Sequence, residues 1–97
     1  MGEGELFISL GMNGEYVVVI LRGTLDLRAT ADLQEVLAAF DGPITLDMTE
    51  VQVVDPLAAE EVLGERARRS SVTIEGANRA VQTTLRAMDQ DGHLTFT

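Results

Sequence analysis

Apolar residues fall into short runs punctuated by glycine, proline and aspartate, and the spacing inside each run predicts an element. Leu6 to Leu10 alternates loosely, and Tyr16 to Leu21 is apolar on both faces, the pattern of a central strand. Between them Met12-Asn13-Gly14-Glu15 predicts a tight hairpin, because Asn and Gly both tolerate positive φ. Gly23 ends the second strand. From about Arg28 to Phe40, Leu33, Val36, Leu37 and Phe40 recur at helical spacing and form one buried stripe. Asp41-Gly42-Pro43 breaks that helix and leads into a third strand, Ile44 to Met48.

A short loop follows, and then a second helix from about Pro56 to Arg69. Its start is well marked. Asp55 can accept from free backbone N–H groups, and proline at the first helical position gives up a donor that has no partner there. The inner face comprises Ala59, Val62, Leu63 and either the stem of Arg66 or Ala67. Glu65 and Arg69 stand four apart in the favourable orientation, and Arg66, Arg68 and Arg69 lie near the negative helix end. Val72 to Glu75 reads as a fourth strand. Asn78 caps a third helix, about Arg79 to Met88, with Val81, Leu85 and Met88 inward. Asp91-Gly92 turns the chain into a last strand, Leu94 to Phe96. The order ββαβαβαβ predicts one α/β domain over residues 1–97: a mixed sheet of about five strands, an antiparallel hairpin joined to parallel units by at least three helices.

Composition narrows the function classes. A hydrophobic content of 45% in 97 residues gives enough apolar surface for one modest core and argues against disorder. The net charge of −9 repels phosphate backbones and anionic lipid, which disfavours nucleic-acid binding, direct membrane insertion and a nucleic-acid role for the arginine cluster. A protein partner offering a basic patch fits that charge better. The absence of cysteine excludes disulfides and thiolate metal sites. The acidic first residues and their short apolar run do not suit a signal peptide, so a cytoplasmic location is the default expectation.

The run ITLDMTEVQVVDPLAA, Ile44 to Ala59, resembles the central motif of the STAS domain family, the sulfate transporter and anti-sigma factor antagonist domains. That family reads as a hydrophobic run, D-L-S, a few residues, an apolar pair, then D-S-S-G-L. Aligned on Asp47 and Asp55, this chain has Met48 and Thr49 for L-S, and Pro56, Leu57, Ala58 and Ala59 for S-S-G-L. Leu21 to Leu37 is similar to the family's G-x-L-D strand ending and first helix. Asn78 to Phe96 is similar to its last helix and strand.

The resemblance implies a non-enzymatic interaction module. Family members bind a kinase-type anti-sigma factor, serve as subunits of signalling assemblies, or act as accessory subunits or tails of lipid and anion transporters. It implies a contact surface at Gly23, Thr24, Leu25 and Asp26 together with Asp55, Pro56, Leu57 and Ala58. It also implies that phosphorylation at the usual place is lost, since the family's serine falls on Leu57. That leucine is either an exposed anchor for a partner or a core residue. Thr24 and Thr49 keep hydroxyls near the surface, and neither is singled out.

No other residue set carries chemistry. Asp26 and Asp55 read more naturally as turn and cap than as paired catalytic carboxylates. Asp47 is expected to accept hydrogen bonds from the neighbouring loop. His93 stands beside Asp91 as a solvated side chain. No nucleophile arrangement, phosphate loop or metal-ligand cluster is present in the sequence, so catalytic residues, cofactor and metal are all expected to be absent. Acidic surfaces resist dimerisation, whereas the apolar hairpin edge permits weak self-association.

Overall fold

A computed structural model describes residues 5–89 and 91–97. Strands β1 (Leu6–Asn13) and β2 (Tyr16–Leu25) form an antiparallel hairpin in uninterrupted register, from Leu6 opposite Gly23 to Asn13 opposite Tyr16. The two-residue connection is Gly14-Glu15, one residue later than the Asn-Gly signal predicts. Only Gly14 takes positive φ (66°), which matches a turn with glycine at its first central position and leaves Asn13 in the strand.

The chain then runs through α1 (Thr30–Ala38), β3 (Ile44–Val54), a helical stretch over residues 56–69 labelled α2, β4 (Val72–Glu75), α3 (Arg79–Met88) and β5 (Leu94–Phe96). The sheet order is β1-β2-β3-β4-β5, with every pair after the hairpin parallel. Each crossover steps the same way across the sheet, so the right-handed rule sends all three helices to one face. Burial agrees: Val19, Leu21, Ile44, Leu46, Met48, Val72 and Ile74 are buried on that face, while Thr45 and Thr73 alternate with them on the other.

Two strands outrun their sequence signals. β2 does not stop at Gly23 but continues to Leu25, and β3 does not stop at Met48 but continues to Val54 in place of the expected loop. Each extension supplies the other's partner, with Gly23 opposite Val51, Thr24 opposite Val53 and Leu25 opposite Val54. Register shifts between Ile20 and Arg22 and between Gly23 and Thr24 absorb the irregular backbone. A glycine that reads locally as a stop is a bend inside a longer pairing. Helix α1 is shorter than its stripe predicts, because Asp26 to Arg28 form a turn in which Ala29 N–H donates to Asp26 C=O at 3.0 Å.

Helix α2 combines an α turn (Pro56–Ala59), one wider π turn (Glu60–Gly64) and a final α turn (Glu65–Arg69). Its buried side is Ala58, Ala59, Val62, Leu63, Arg66 and Ala67, so both alternatives for the last position are inside. Arg66 is only 5% exposed. Its guanidinium donates to the carbonyls of Phe40 and Gly42, closing the connection between α1 and β3. Burial first, and Arg69 second, lower its pKa, yet a guanidinium remains protonated at any physiological pH. Arg69 pairs with Glu65 at 2.9 Å and Arg68 with Glu60 at 3.5 Å. Arg68 and Arg69 are therefore solvated and paired within the helix, whereas Arg66, which helical position alone would place with them, is buried against the α1–β3 connection. Asn78 caps α3 as expected, accepting from Val81 N–H at 2.9 Å.

Candidate functional site

The proposed surface residues come from two segments that are far apart in sequence and meet at one end of the sheet. Asp55 N–H donates to Leu25 C=O at 2.8 Å, extending the parallel ladder by one step beyond Val54. The G-x-L-D turn and the mouth of α2 are thereby fixed side by side. Asp55 has extended backbone (φ −78°, ψ 125°), and its carboxylate accepts from Leu57 N–H at 2.8 Å. Ala59 N–H donates to Asp55 C=O at 3.0 Å, the first intrahelical bond. This is the cap geometry that Asp-Pro predicts.

These contacts fix where Leu57 points. Its backbone N–H is held by the cap, and its side chain is 68% exposed. Of the two readings the sequence left open, the structure has the exposed one. Pro56 is exposed beside it. Leu25 and Ala58 are completely buried, so within the proposed surface they anchor the two segments to the core and present no side chain outward. Gly23, Thr24, Asp26 and Asp55 are half-buried.

Gly23 sits at φ 106°, and a Cβ there would meet the Glu5 carbonyl oxygen. The strand start crosses close behind it, with Thr24 N–H donating to Glu5 C=O at 2.9 Å. Asp26 accepts from Arg28 N–H at 3.0 Å and from the Arg28 guanidinium at 2.9 Å. Those bonds, the guanidinium foremost, hold the Asp26 carboxyl below its ordinary range. A carboxylate with a depressed folded-state pKa contributes stability above its unfolded value of about 3.9, and that contribution fades as pH falls through the folded value. Urea denaturation should show a constant stability gap between wild type and Asp26→Asn near neutral pH that closes below about pH 4. A gap that widens on acidification would contradict the assignment.

Sequence reasoning missed two apolar side chains here. Leu27 is 52% and Val53 56% exposed, and with Leu57 each lies within two residues of the Leu25–Asp55 hydrogen bond. Leu27 falls outside the α1 stripe, a signal that was legible. Val53 carried none, because its segment reads as a loop. Beyond Leu57, an open cleft of about 340 Å³ runs past Glu60 and Arg68 to Met88 and His93. His93 stands 3.7 Å from Asp91 and is exposed. Asp89 organises that turn, accepting from the N–H groups of His93 (2.8 Å) and Leu94 (2.9 Å). Asp47 accepts from Thr49 N–H and Oγ1, at 3.0 and 2.7 Å, within its own strand and not from a loop.

The family model described as Mlab, STAS domain matches residues 8–95. The chain belongs to the STAS domain family. Comparison with curated protein sequences finds no match. Among solved structures, this STAS domain is similar to an anti-sigma factor antagonist from Mycobacterium paratuberculosis at 14% identity and TM-score 0.72, covering 95% of this chain and 86% of that one. It is similar to the anti-sigma factor antagonist SpoIIAA in its unphosphorylated form at 17% identity and TM-score 0.68, covering 94% and 88%. A serine-to-glutamate variant of RsbS from Moorella thermoacetica is 25% identical with TM-score 0.67, covering 93% and 85%. The expected STAS fold, a five-stranded mixed sheet with three helices, is the fold observed.

Proposed function

We propose that this STAS domain is a non-enzymatic, protein-binding regulatory module whose partner docks on the mouth of α2 and the adjoining Asp26 turn. Leu57 is its apolar anchor, flanked by Leu27, Val53 and Pro56. The observation that carries this reading is the exposure of Leu57 at a capped, rigid helix start. A large side chain held outward by fixed backbone loses little freedom on binding, and such central apolar contacts carry much of an interface's affinity. The partner is a cytoplasmic kinase-type anti-sigma factor, with basic groups complementing Asp26, Asp55 and Glu60.

Leu57 offers no hydroxyl. A phosphate added in a relative at this position would bring nearly two negative charges to the interface. Without that acceptor, binding here is constitutive and set by abundance. Incubation with a kinase-type anti-sigma factor and ATP should leave the intact mass of this chain unchanged and the complex assembled. Gain of a phosphate together with release of the partner would overturn the reading.

A second reading has its own support: the matching family model carries the name Mlab. On that reading the same surface docks on a transporter ATPase as an accessory subunit. Titrating this chain against both partner classes separates the two, since tight binding to the ATPase and none to anti-sigma factors favours the transport role.

A further inference from the structure

The outer edge of β1 is uncovered among the described residues, and its composition is unusual for an exposed edge. No residue from Leu6 to Asn13 is charged and none is proline, and the pairing to β2 has no bulge. Exposed strands are ordinarily protected by those devices. Leu10 is 57% and Met12 69% exposed, on a surface that otherwise belongs to a chain of net charge −9.

Hydrogen-bond alternation shows which groups are free. Because Thr24 N–H donates to Glu5 C=O, the residues of β1 in phase with Glu5 face β2: Phe7, Ser9, Gly11 and Asn13. The N–H and C=O groups of Leu6, Ile8, Leu10 and Met12 therefore point away from the sheet. Gly11 adds a second oddity. Its φ is not positive, and a Cβ there would find only ordinary contacts, 3.8 Å from Ile20 and 4.0 Å from the Val18 carbonyl. Nothing within this chain requires glycine at that strand position, where it weakens the strand.

We propose that the β1 edge is a homodimer interface, in which two copies pair antiparallel about a two-fold axis through Ser9 and join two five-stranded sheets into one. In this register Leu6 faces the second copy's Met12 and Ile8 faces its Leu10, so every outward N–H and C=O of both strands finds a partner. On the opposite face Phe7 covers the second copy's Gly11, Glu5 meets Asn13, and Ser9 meets Ser9. An aromatic ring over a cross-strand glycine explains why that position is bare. Neighbouring registers are worse: slipping two residues one way sets Glu5 against Glu15, and the other way sets Phe7 against Ser9 and uncovers Gly11. The two-fold directs the two candidate docking surfaces to opposite ends of the shared sheet, so the dimer is bivalent. This inference stands whether or not the partner reading does, because its readout involves this chain alone.

Sedimentation of the purified chain should show a concentration-dependent dimer that grows as salt screens the acidic bodies. Leu10→Pro removes an outward N–H without touching the β2 ladder, so it should give a folded monomer. Ser9→Cys places one thiol from each copy across a non-hydrogen-bonded pair, a spacing a disulfide spans, and should yield a covalent dimer on mild oxidation. Thr95→Cys, exposed on β5 and remote from the axis, should not cross-link selectively. A monomer at every soluble concentration, a dimer that survives Leu10→Pro, a dimer that dissolves as salt rises, or a dimer in which Ser9→Cys fails to cross-link would each overturn the proposal.

Discussion

Gly23→Ala should destabilise the domain by about 3 kcal/mol, since it forces a side chain into a sparsely populated backbone region and into a packed carbonyl. At φ 106° the new Cβ would overlap the Glu5 oxygen, which is backbone and is pinned by Thr24 N–H. Neither side can yield without breaking the β1–β2 register at its end. For a domain of this size each kcal/mol shifts Tm by roughly 4–8 °C, so thermal unfolding should fall by well over 10 °C. Gly42→Ala is the control: it meets nothing within 4 Å and has no positive φ, and should stay close to wild type. A Gly23→Ala protein as stable as that control would mean Glu5 does not cross behind Gly23 as described.

Leu57→Asp should separate binding from stability. The side chain is exposed, so its loss removes little buried area, and a carboxylate in the first turn of a helix interacts favourably with the helix dipole. Thermal unfolding should therefore be unchanged or slightly raised. Partner affinity should fall by about 2 kcal/mol, roughly 30-fold in Kd, because a desolvated apolar anchor is replaced by a charge facing the partner. Titration calorimetry with the partner checks this. An affinity within a factor of about two of wild type would place the docking surface elsewhere on the molecule.

What could be read in advance followed a physical division. Periodicity fixes which side of an element is buried, and the inner faces of α2 and α3 came out as their spacing predicts. Caps are local chemistry, and Asp55 and Asn78 act as their sequence positions dictate. Strand ends escape local patterning where the deciding contact lies far along the chain. Thr49 to Val54 carries too little alternation to look like a strand, and becomes one because residues 22–25 lie beside it.

The candidate surface divides the same way. Its two segments were named from motifs, but their adjacency depends on the parallel ladder that ends in the Leu25–Asp55 hydrogen bond. The exposure of Leu57 and the burial of Leu25 and Ala58 depend on how α2 settles onto the sheet. Val53 stands opposite Thr24 because β3 lengthens beside β2. By itself the sequence determined the order of strands and helices, the inward stripes, the caps and the missing hydroxyl, because each follows from residues a turn or a strand apart. Only the tertiary structure decided which strands lengthen by pairing, which of the nominated residues face solvent, and which backbone groups of the open edge point outward, because those outcomes depend on contacts between segments distant in the chain.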